Sequence, residues 1–546
     1  MNLILPQRRL IPRWRPVAAT LATTEALSTS SRVPEEFSGS PDELDKAILL
    51  WRETKAPGML GEVLSFSVHQ NLLQKVIEIG HEATQSGAPV TFVQSMLILG
   101  FRDIENANTQ LGAYAVPSDE SNPFQAPIRR LRALLRSAPD NVLALLDFAQ
   151  LQVAVGKTKT AERALRTALN LAPNNRVVLR TVARFFMHCR ENNQAHRLLQ
   201  QHARTSSDPW LMASEIALAS AAGVSPSFLS KGKRLLLELP KYGPAHFTEL
   251  AGAIAIEEMN SGSMKRAREA QRKALLAPND NVIAQAINYE QEFGIHLKSL
   301  PVIRALKASH EALALQALSN YRPDDMSLHS QSWHAEEPFS SRPIQLVATT
   351  YIFKGEFKKA ERWNSAGLVA DPEDFGLLVG MAYTKAQLGL INEAESVMRK
   401  LRHQDFKRAD PYCMATEGLI AYQQERFDDG DSLYDKAVTI FNQRKHEKTG
   451  AFCRLNQTLV AMDYEHPRSE EIMKVAKLAV ETYPSPDSAM LLQIRSSIKV
   501  TDVPVEAKEK RRLSQWVYDP ATNSLFAKVG VTSVGAQPLI ILDRKS

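Results

Sequence analysis

Side chains that could bind a metal gather between Asp324 and Glu337. The stretch holds Asp324, Asp325, His329, His334, Glu336 and Glu337, and carboxylates and imidazoles are the groups that a divalent metal or a hydrolytic site uses. The two histidines are not four residues apart, the spacing that would place both on one face of a helix. Since Pro and Ser residues surround them, we interpret the stretch as a solvated polar loop and expect no metal and no cofactor. A metal-dependent hydrolase built on 324–337 remains the alternative.

A second motif resembles the end of a phosphate-binding loop. Gly156, Lys157 and Thr158 follow one another, but a phosphate-binding loop needs an earlier glycine and must connect a strand to a helix. The position of that earlier glycine is Leu151, and the preceding pattern is helical. We therefore interpret Gly156 as a turn residue between two helices.

Basic clusters and cysteines give only weak signals of chemistry. The clusters Arg129–Arg136 and Lys508–Arg512 are short and lack interleaved aromatics, so we interpret them as solvated helix faces and consider nucleic acid an unlikely ligand. A net charge of +6 in 546 residues is mild, although a nucleic-acid-associated accessory subunit stays open. Cys189, Cys413 and Cys453 show no CxxC spacing, which fits a reducing compartment and predicts no catalytic thiol. We expect a protein that is not an enzyme.

The elements around these motifs repeat one helical pattern from about residue 139 to 444. Small and large apolar residues, a glycine turn and a final proline recur at matching positions: Leu145, Phe148, Ala149, Gly156, Ala161, Ala168 and Pro173 correspond to Ile344, Val347, Ala348, Gly355, Ala360, Gly367 and Pro372. Leu165 belongs to the first of these two units and Tyr351 to the second. Small residues let paired helices approach closely, and each pair must stack on its neighbours to bury its apolar face. The pattern predicts an all-α, right-handed superhelical solenoid of antiparallel helix pairs.

These residues resemble the tetratricopeptide repeat family. Some members grip the C-terminal carboxylate of a chaperone with Lys and Asn on the first helices, but the corresponding positions here do not match that clamp. The resemblance implies a scaffold or adaptor without catalytic activity, which binds another protein or a peptide in a groove lined by first helices. The predicted contacts with the partner are Gln150, Arg180, Arg184, Gln345, Thr349 and Tyr383, and the two arginines would pair with an acidic ligand.

The chain divides into six predicted segments. They are a basic, flexible N-terminal arm (1–41), a helical region or degenerate cap repeat (42–120), a first repeat block (121–296), a helix with a polar loop between the blocks (297–343), a second repeat block (344–485) and a tail with short strands (486–546). Valines at 529, 531 and 534 and the run 539–542 favour strands, with turn residues at Asp519 and Asn523.

No apolar run is long enough to suggest a membrane span, and we expect a cytoplasmic protein. An organellar location is the alternative if the arm is a transit peptide, since it carries four arginines and no acidic residue before Glu25. Pro6, Pro12 and Pro16 would interrupt the amphipathic helix of such a peptide, so an extended arm is favoured.

Overall fold

The chain folds into two compact units of helix pairs. The computed structural model describes residues 8–16, 41–69, 73–88, 123–237, 244–293, 309–320, 322–402, 410–485, 487–489, 491–492, 515–519 and 524–528, with Phe92, Val93 and Met96. The N-terminal unit comprises 7–313 and 332–339, and the C-terminal unit comprises 314–331 and the chain from 340 onward. The predicted repeat blocks 121–296 and 344–485 therefore fall in different units.

Helices make up almost all of the described structure. In order they are α1 (Pro41–Thr54), α2 (Pro57–His69), α3 (Leu73–Gln85), α4 (Gln125–Ser137), α5 (Val142–Ala154), α6 (Thr158–Leu171), α7 (Arg176–His188), α8 (Asn192–Gln200), α9 (Pro209–Ala222), α10 (Leu229–Leu235), α11 (Thr248–Asn260), α12 (Met264–Ala274), α13 (Asp280–Phe293), α14 (His310–Ser319) and α15 (Pro323–Glu336). The C-terminal unit continues with α16 (Ser341–Phe353), α17 (Phe357–Ala370), α18 (Phe375–Gln387), α19 (Ile391–Arg402), α20 (Pro411–Gln423), α21 (Phe427–Gln443), α22 (Glu447–Asp463) and α23 (Ser469–Thr482).

The helix pairs repeat as the sequence predicts. The first helices α5 and α7 begin 34 residues apart, at 142 and 176, and α16 and α18 also begin 34 residues apart, at 341 and 375. Asn175 caps α7 by accepting hydrogen bonds from the amides of Val177 and Val178, which satisfies donors that a helix start leaves open. Gly156 (φ 73°) and Gly355 (φ 75°) occupy the turns within pairs, where left-handed backbone favours glycine. The predicted all-α repeat architecture is confirmed.

First and second helices of a pair are buried differently. All thirteen residues of α5 are buried, whereas α6 buries only Ala161, Ala164, Leu165 and Ala168. A helix that is apolar all round must be covered on every side, while an amphipathic helix can leave one face in water. The first helices of the N-terminal unit are thus covered on a face that their paired helices do not reach; we call it the first-helix face.

One predicted segment differs from the structure. The polar loop predicted for 321–343 is wrong, because 323–336 form α15 and Ser341 begins α16. Pro323 is the first residue of α15, a position where its missing N–H costs nothing, so this proline starts a helix instead of breaking one. In the tail, β1 (Gln515–Asp519) pairs antiparallel with β2 (Ser524–Lys528), and the turn residues predicted between these strands at 520–523 lie outside the described residues. The strands predicted after residue 528 lie outside the described residues.

Within the described residues, no helix combines the length and the apolar character needed to cross a bilayer.

Candidate functional site

The N-terminal segment (residues 8–16) covers the first-helix face of the N-terminal unit. It forms neither helix nor strand, and burial alternates along it: Arg8, Leu10, Pro12, Trp14 and Pro16 are buried, and the residues between them are intermediate. Such a period of two is typical of an extended chain lying on a surface. The prediction that the basic arm is flexible is therefore wrong for 8–16; residues 1–7 and 17–40 lie outside the described part.

Leu10 fills an apolar pocket between first helices. It belongs to a hydrophobic cluster with Met212 and Ile216 of α9 and Leu250 of α11. A Cβ atom at Gly252 would approach the Cδ2 atom of Leu10 to 3.1 Å, so glycine leaves the space that this leucine occupies. Leu10 is therefore closely packed against these helices.

Trp14 lies between two phenylalanines and is 2% exposed. Its ring centroid is 4.9 Å from that of Phe339 and 6.4 Å from that of Phe185, which it meets edge to face. The side-chain amide of Gln150 donates to the backbone carbonyl of Trp14 at 2.6 Å. Aromatic packing holds the side chain while this hydrogen bond fixes the backbone, so both the residue type and its register matter.

Arg8 is held by groups from two helices. Its guanidinium donates to both carboxylate oxygens of Glu311 at 2.9 Å, to Oε1 of Gln285 at 2.7 Å and to Oδ1 of Asn281 at 2.8 Å. The amide of Asn281 also donates to the carbonyl of Ile11 at 3.1 Å. A forked pair with a carboxylate fits the planar guanidinium and not the ammonium of lysine.

Four carboxylates meet Arg13 and Arg15 of the segment. Arg13 pairs with Glu311 and lies 3.3 Å from Glu337, and Arg15 pairs with Asp280 and lies 2.9 Å from Glu336. Trp333 extends this site, because its indole donates to Glu337 at 3.1 Å and the guanidinium of Arg13 lies 5.8 Å from its ring centroid. We call Asp280, Glu311, Glu336 and Glu337 the carboxylate cluster.

Burial and neighbouring charges have opposing effects on the pKa values of Arg13 and Glu336. Burial alone would lower the pKa of Arg13, but Glu311, Glu337 and Asp280 outweigh it and raise the pKa above its ordinary value. Burial raises the pKa of Glu336 to about 7, with Arg15 partly offsetting the increase. Burial lowers the pKa of Arg184, an effect that Glu337 reduces and Arg13 reinforces. The cluster is thus a buried site of negative charge that a cationic ligand stabilises.

The predicted site residues of the N-terminal unit all lie on α5 and α7, at or near this site. Gln150 contacts Trp14 as described. Arg180 pairs with Glu249 of α11 and its guanidinium lies 5.2 Å from the ring centroid of Trp210. The guanidinium of Arg184 lies 4.9 Å from the ring centroid of Phe339. An acidic ligand for these arginines was expected, but Glu249 of the chain itself already pairs with Arg180, and the charges of Glu337 and Glu311 act on the pKa of Arg184.

The predicted site residues of the C-terminal unit are buried between helices. Gln345 donates to Asp374 at 2.9 Å, and Tyr383 donates to Asn456 at 3.0 Å. Thr349 is 3% exposed. The structure therefore places Gln345 and Tyr383 in contacts between helices of the C-terminal unit and buries Thr349 within it.

The metal hypothesis finds no geometric support. His329 and His334 lie on α15 five residues apart, a spacing that turns them to different sides of the helix. Burial lowers the pKa of His334 to about 4. Across the described residues, no group of three or more His, Cys, Asp or Glu side chains is arranged to hold a metal.

The other chemical motifs have structural explanations. Gly156 is the turn between α5 and α6. The arginines of 129–136 are exposed on α4 while Ile128 and Leu131 are buried, as a solvated face requires; the cluster 508–512 lies outside the described residues. Burial raises the pKa of the Cys453 thiol to about 11, which opposes a nucleophilic thiolate.

The sequence interpretation missed the N-terminal segment itself. Its signal is the alternation of Leu10, Pro12, Trp14 and Pro16 with Arg13 and Arg15, a period of two beside a chain of helical periods. The carboxylate cluster had no such signal, because its members lie between residues 280 and 337 and far from the arginines in sequence. Glu336 and Glu337 were assigned instead to a solvated loop.

Comparison with known proteins gives structural neighbours of low similarity. No family model and no curated protein matches the sequence. Solved structures similar to the chain include the APC/C hetero-tetramer Cut9–Hcn1 (TM-score 0.22, 11% identity, 70% of this chain and 98% of that chain), the human IFIT1 dimer with PPP-AAAA (TM-score 0.28, 12% identity, 86% and 97%) and Naa15/Naa10 bound to HypK-THB (TM-score 0.21, 10% identity, 83% and 80%). Structural similarity this low does not identify a ligand for the chain. From its own 34-residue helix pairs, the chain is a tetratricopeptide-like helical-repeat protein.

Proposed function

We propose that the protein is a non-catalytic interaction scaffold whose first-helix face binds an extended, arginine-containing segment of a partner protein. The observation that carries the proposal is the position of residues 8–16, which occupy this face with five alternate residues buried. A surface that accommodates one extended segment so closely has the shape and the charge to hold another of the same chemistry.

The charge of the face supports a cationic ligand. Glu311 and Glu337 are 3% and 4% exposed at their side chains, and Asp280 is 7% exposed. Buried carboxylates are stable when paired and costly when left without a partner. A basic peptide supplies the missing charge, whereas the phosphates of a nucleic acid would be repelled at this face.

The proposal is tested with a chain that lacks residues 1–16. Titration calorimetry with the synthetic peptide of residues 8–16 should show binding at a ratio of one to one. The matched control is a peptide of identical composition in which Arg13 and Trp14 exchange places, since this moves the tryptophan out of register with Phe185 and Phe339. Failure of the folded, shortened chain to bind the native-order peptide, or equal binding of both peptides, would refute the proposal.

A further inference from the structure

The binding site of residues 13–15 restricts which partner residues can fit, and it does so more strictly than charge alone would. Arg13 and Arg15 both reach the carboxylate cluster, while Trp14 between them enters the aromatic gap between Phe185 and Phe339. Neighbouring side chains of an extended chain leave in opposite directions. The site therefore fits a consecutive arginine, aromatic and arginine, and a cluster of lysines would not reproduce it.

The internal segment does not satisfy all of the groups that it buries. Among the described residues, the indole nitrogen of Trp14 and Oε1 of Gln150 have no hydrogen-bond partner, although these residues are only 2% and 0% exposed. Nε2 of Gln285, next to Arg8, is in the same situation. Each such group costs about 1–3 kcal/mol when it is buried unpaired. A ligand that pairs with Gln150 or Gln285, or that buries an aromatic ring without an unpaired N–H, would bind more strongly than residues 8–16 do.

The segment competes with an external ligand through its tether. Twenty-four residues, 17–40, connect Pro16 with the first residue of α1. A connection of 24 residues gives the attached segment an effective concentration of about 1 mM. For a peptide whose Kd is about 10 μM, this competition would reduce the apparent affinity about 100-fold.

We propose that the partner presents arginine, an aromatic residue and arginine at consecutive positions of an extended segment, and that it binds by displacing residues 8–16. This inference rests on the peptide-binding function proposed above. It makes the N-terminal segment an internal ligand that occupies the site until a partner with better contacts replaces it. The partner is a protein segment, because its backbone carbonyl must accept the hydrogen bond that Gln150 now donates to Trp14.

Three forms of the chain test displacement: the full chain, the chain lacking residues 1–16, and the full-length double variant Arg13→Glu, Trp14→Ala. A fluorescent peptide of residues 8–16 is the probe. We expect the shortened chain and the double variant to bind it about 100-fold more tightly than the full chain. The double variant keeps the test valid if the shortened chain does not fold.

The possible outcomes separate the two proposals. Equal affinity of the full and shortened chains would overturn displacement and leave the peptide-binding function intact, whereas absence of binding to both altered chains would overturn both. A peptide with Arg13→Lys should bind at least 10-fold more weakly to the shortened chain, because lysine keeps the charge but loses the forked geometry; equal binding would overturn the arginine requirement. If the full chain forms a dimer and Trp14→Ala abolishes that dimer, the face binds the segment of a second copy of this chain. That result would overturn the proposal of a different partner protein.

Discussion

Replacing Trp14 by alanine should release the N-terminal segment and leave the helix pairs folded. Trp14 is 2% exposed and contacts Phe185 and Phe339, and truncating a buried tryptophan costs about 3–5 kcal/mol. Since each 1.4 kcal/mol is a factor of about ten, the ratio of seated to released segment should fall about 100-fold or more. The backbone hydrogen bond from Gln150 remains available in the variant, so the loss reports on the side chain.

Hydrogen–deuterium exchange measures this release directly. In Trp14→Ala, amides within 8–16 should exchange much faster than in the parent chain, while the amides of α5 and α7 keep their protection. Arg9→Ala is the matched control, because Arg9 belongs to the same segment but is only partly buried, and it should leave exchange unchanged. Unchanged exchange at 8–16 in Trp14→Ala would refute the role of the aromatic site. Loss of protection in α5 and α7 together with the segment would show that the segment is part of the core and is not a displaceable ligand.

Three further predictions follow from buried groups. The free energy of unfolding of the parent chain, relative to that of Glu336→Gln, should fall as pH rises from about 4.5 to about 7 and then stay level. The reason is that folding raises the pKa of Glu336 to about 7, so the folded state keeps a proton that the unfolded state releases in this range. A difference in free energy of unfolding that does not change with pH would contradict this. Arg176→Ala should lower the free energy of unfolding by about 1–3 kcal/mol, because the buried Asp208 would lose its ion pair at 2.7 Å while Arg204 stays at 3.7 Å; a loss below about 0.5 kcal/mol in urea denaturation would contradict it. Addition of Zn²⁺ or Mg²⁺ should leave the Tm unchanged, whereas a metal-dependent rise that His334→Ala abolishes would revive the hydrolase hypothesis.

The repeats could be predicted from the sequence because their determinants are local. Glycine at 156 and 355 and the small residues at 149 and 348 act within one helix pair, and the pattern recurs at a constant interval. Local periodicity thus specifies each pair and its stacking on the next.

The segment from 321 to 343 shows where local interpretation fails. Three prolines and many polar residues suggested a loop, yet Pro323 begins α15 and Pro343 lies in the first turn of α16. The polar residues are buried because they meet partners that are distant in sequence: Glu337 meets Arg13 across 324 residues. The residue types of a stretch indicate only how exposed such residues are on average. They cannot identify a buried carboxylate whose charge is neutralised by an arginine that is distant in sequence.

The N-terminal segment failed to stand out for the same reason. A basic, proline-containing stretch is typical of a solvated arm, and nothing within residues 8–16 reveals the carboxylates that receive it. The register of the repeats, which is local, predicts that Gln150 faces the groove. The residue that Gln150 binds, Trp14, lies 136 residues away in sequence, and no local pattern predicts this contact. Sequence therefore located part of the face but not its occupant.

The location of a bound peptide tests the central claim most directly. A peptide of residues 8–16 that carries a photoreactive aromatic group in place of Trp14 is cross-linked to the chain lacking residues 1–16, and the products are mapped by mass spectrometry. The account predicts cross-links on α7 near Phe185 and on the stretch around Phe339, and their loss when unlabelled peptide is added in excess. Cross-links confined to the C-terminal unit, or scattered over the exposed helix faces, would contradict it.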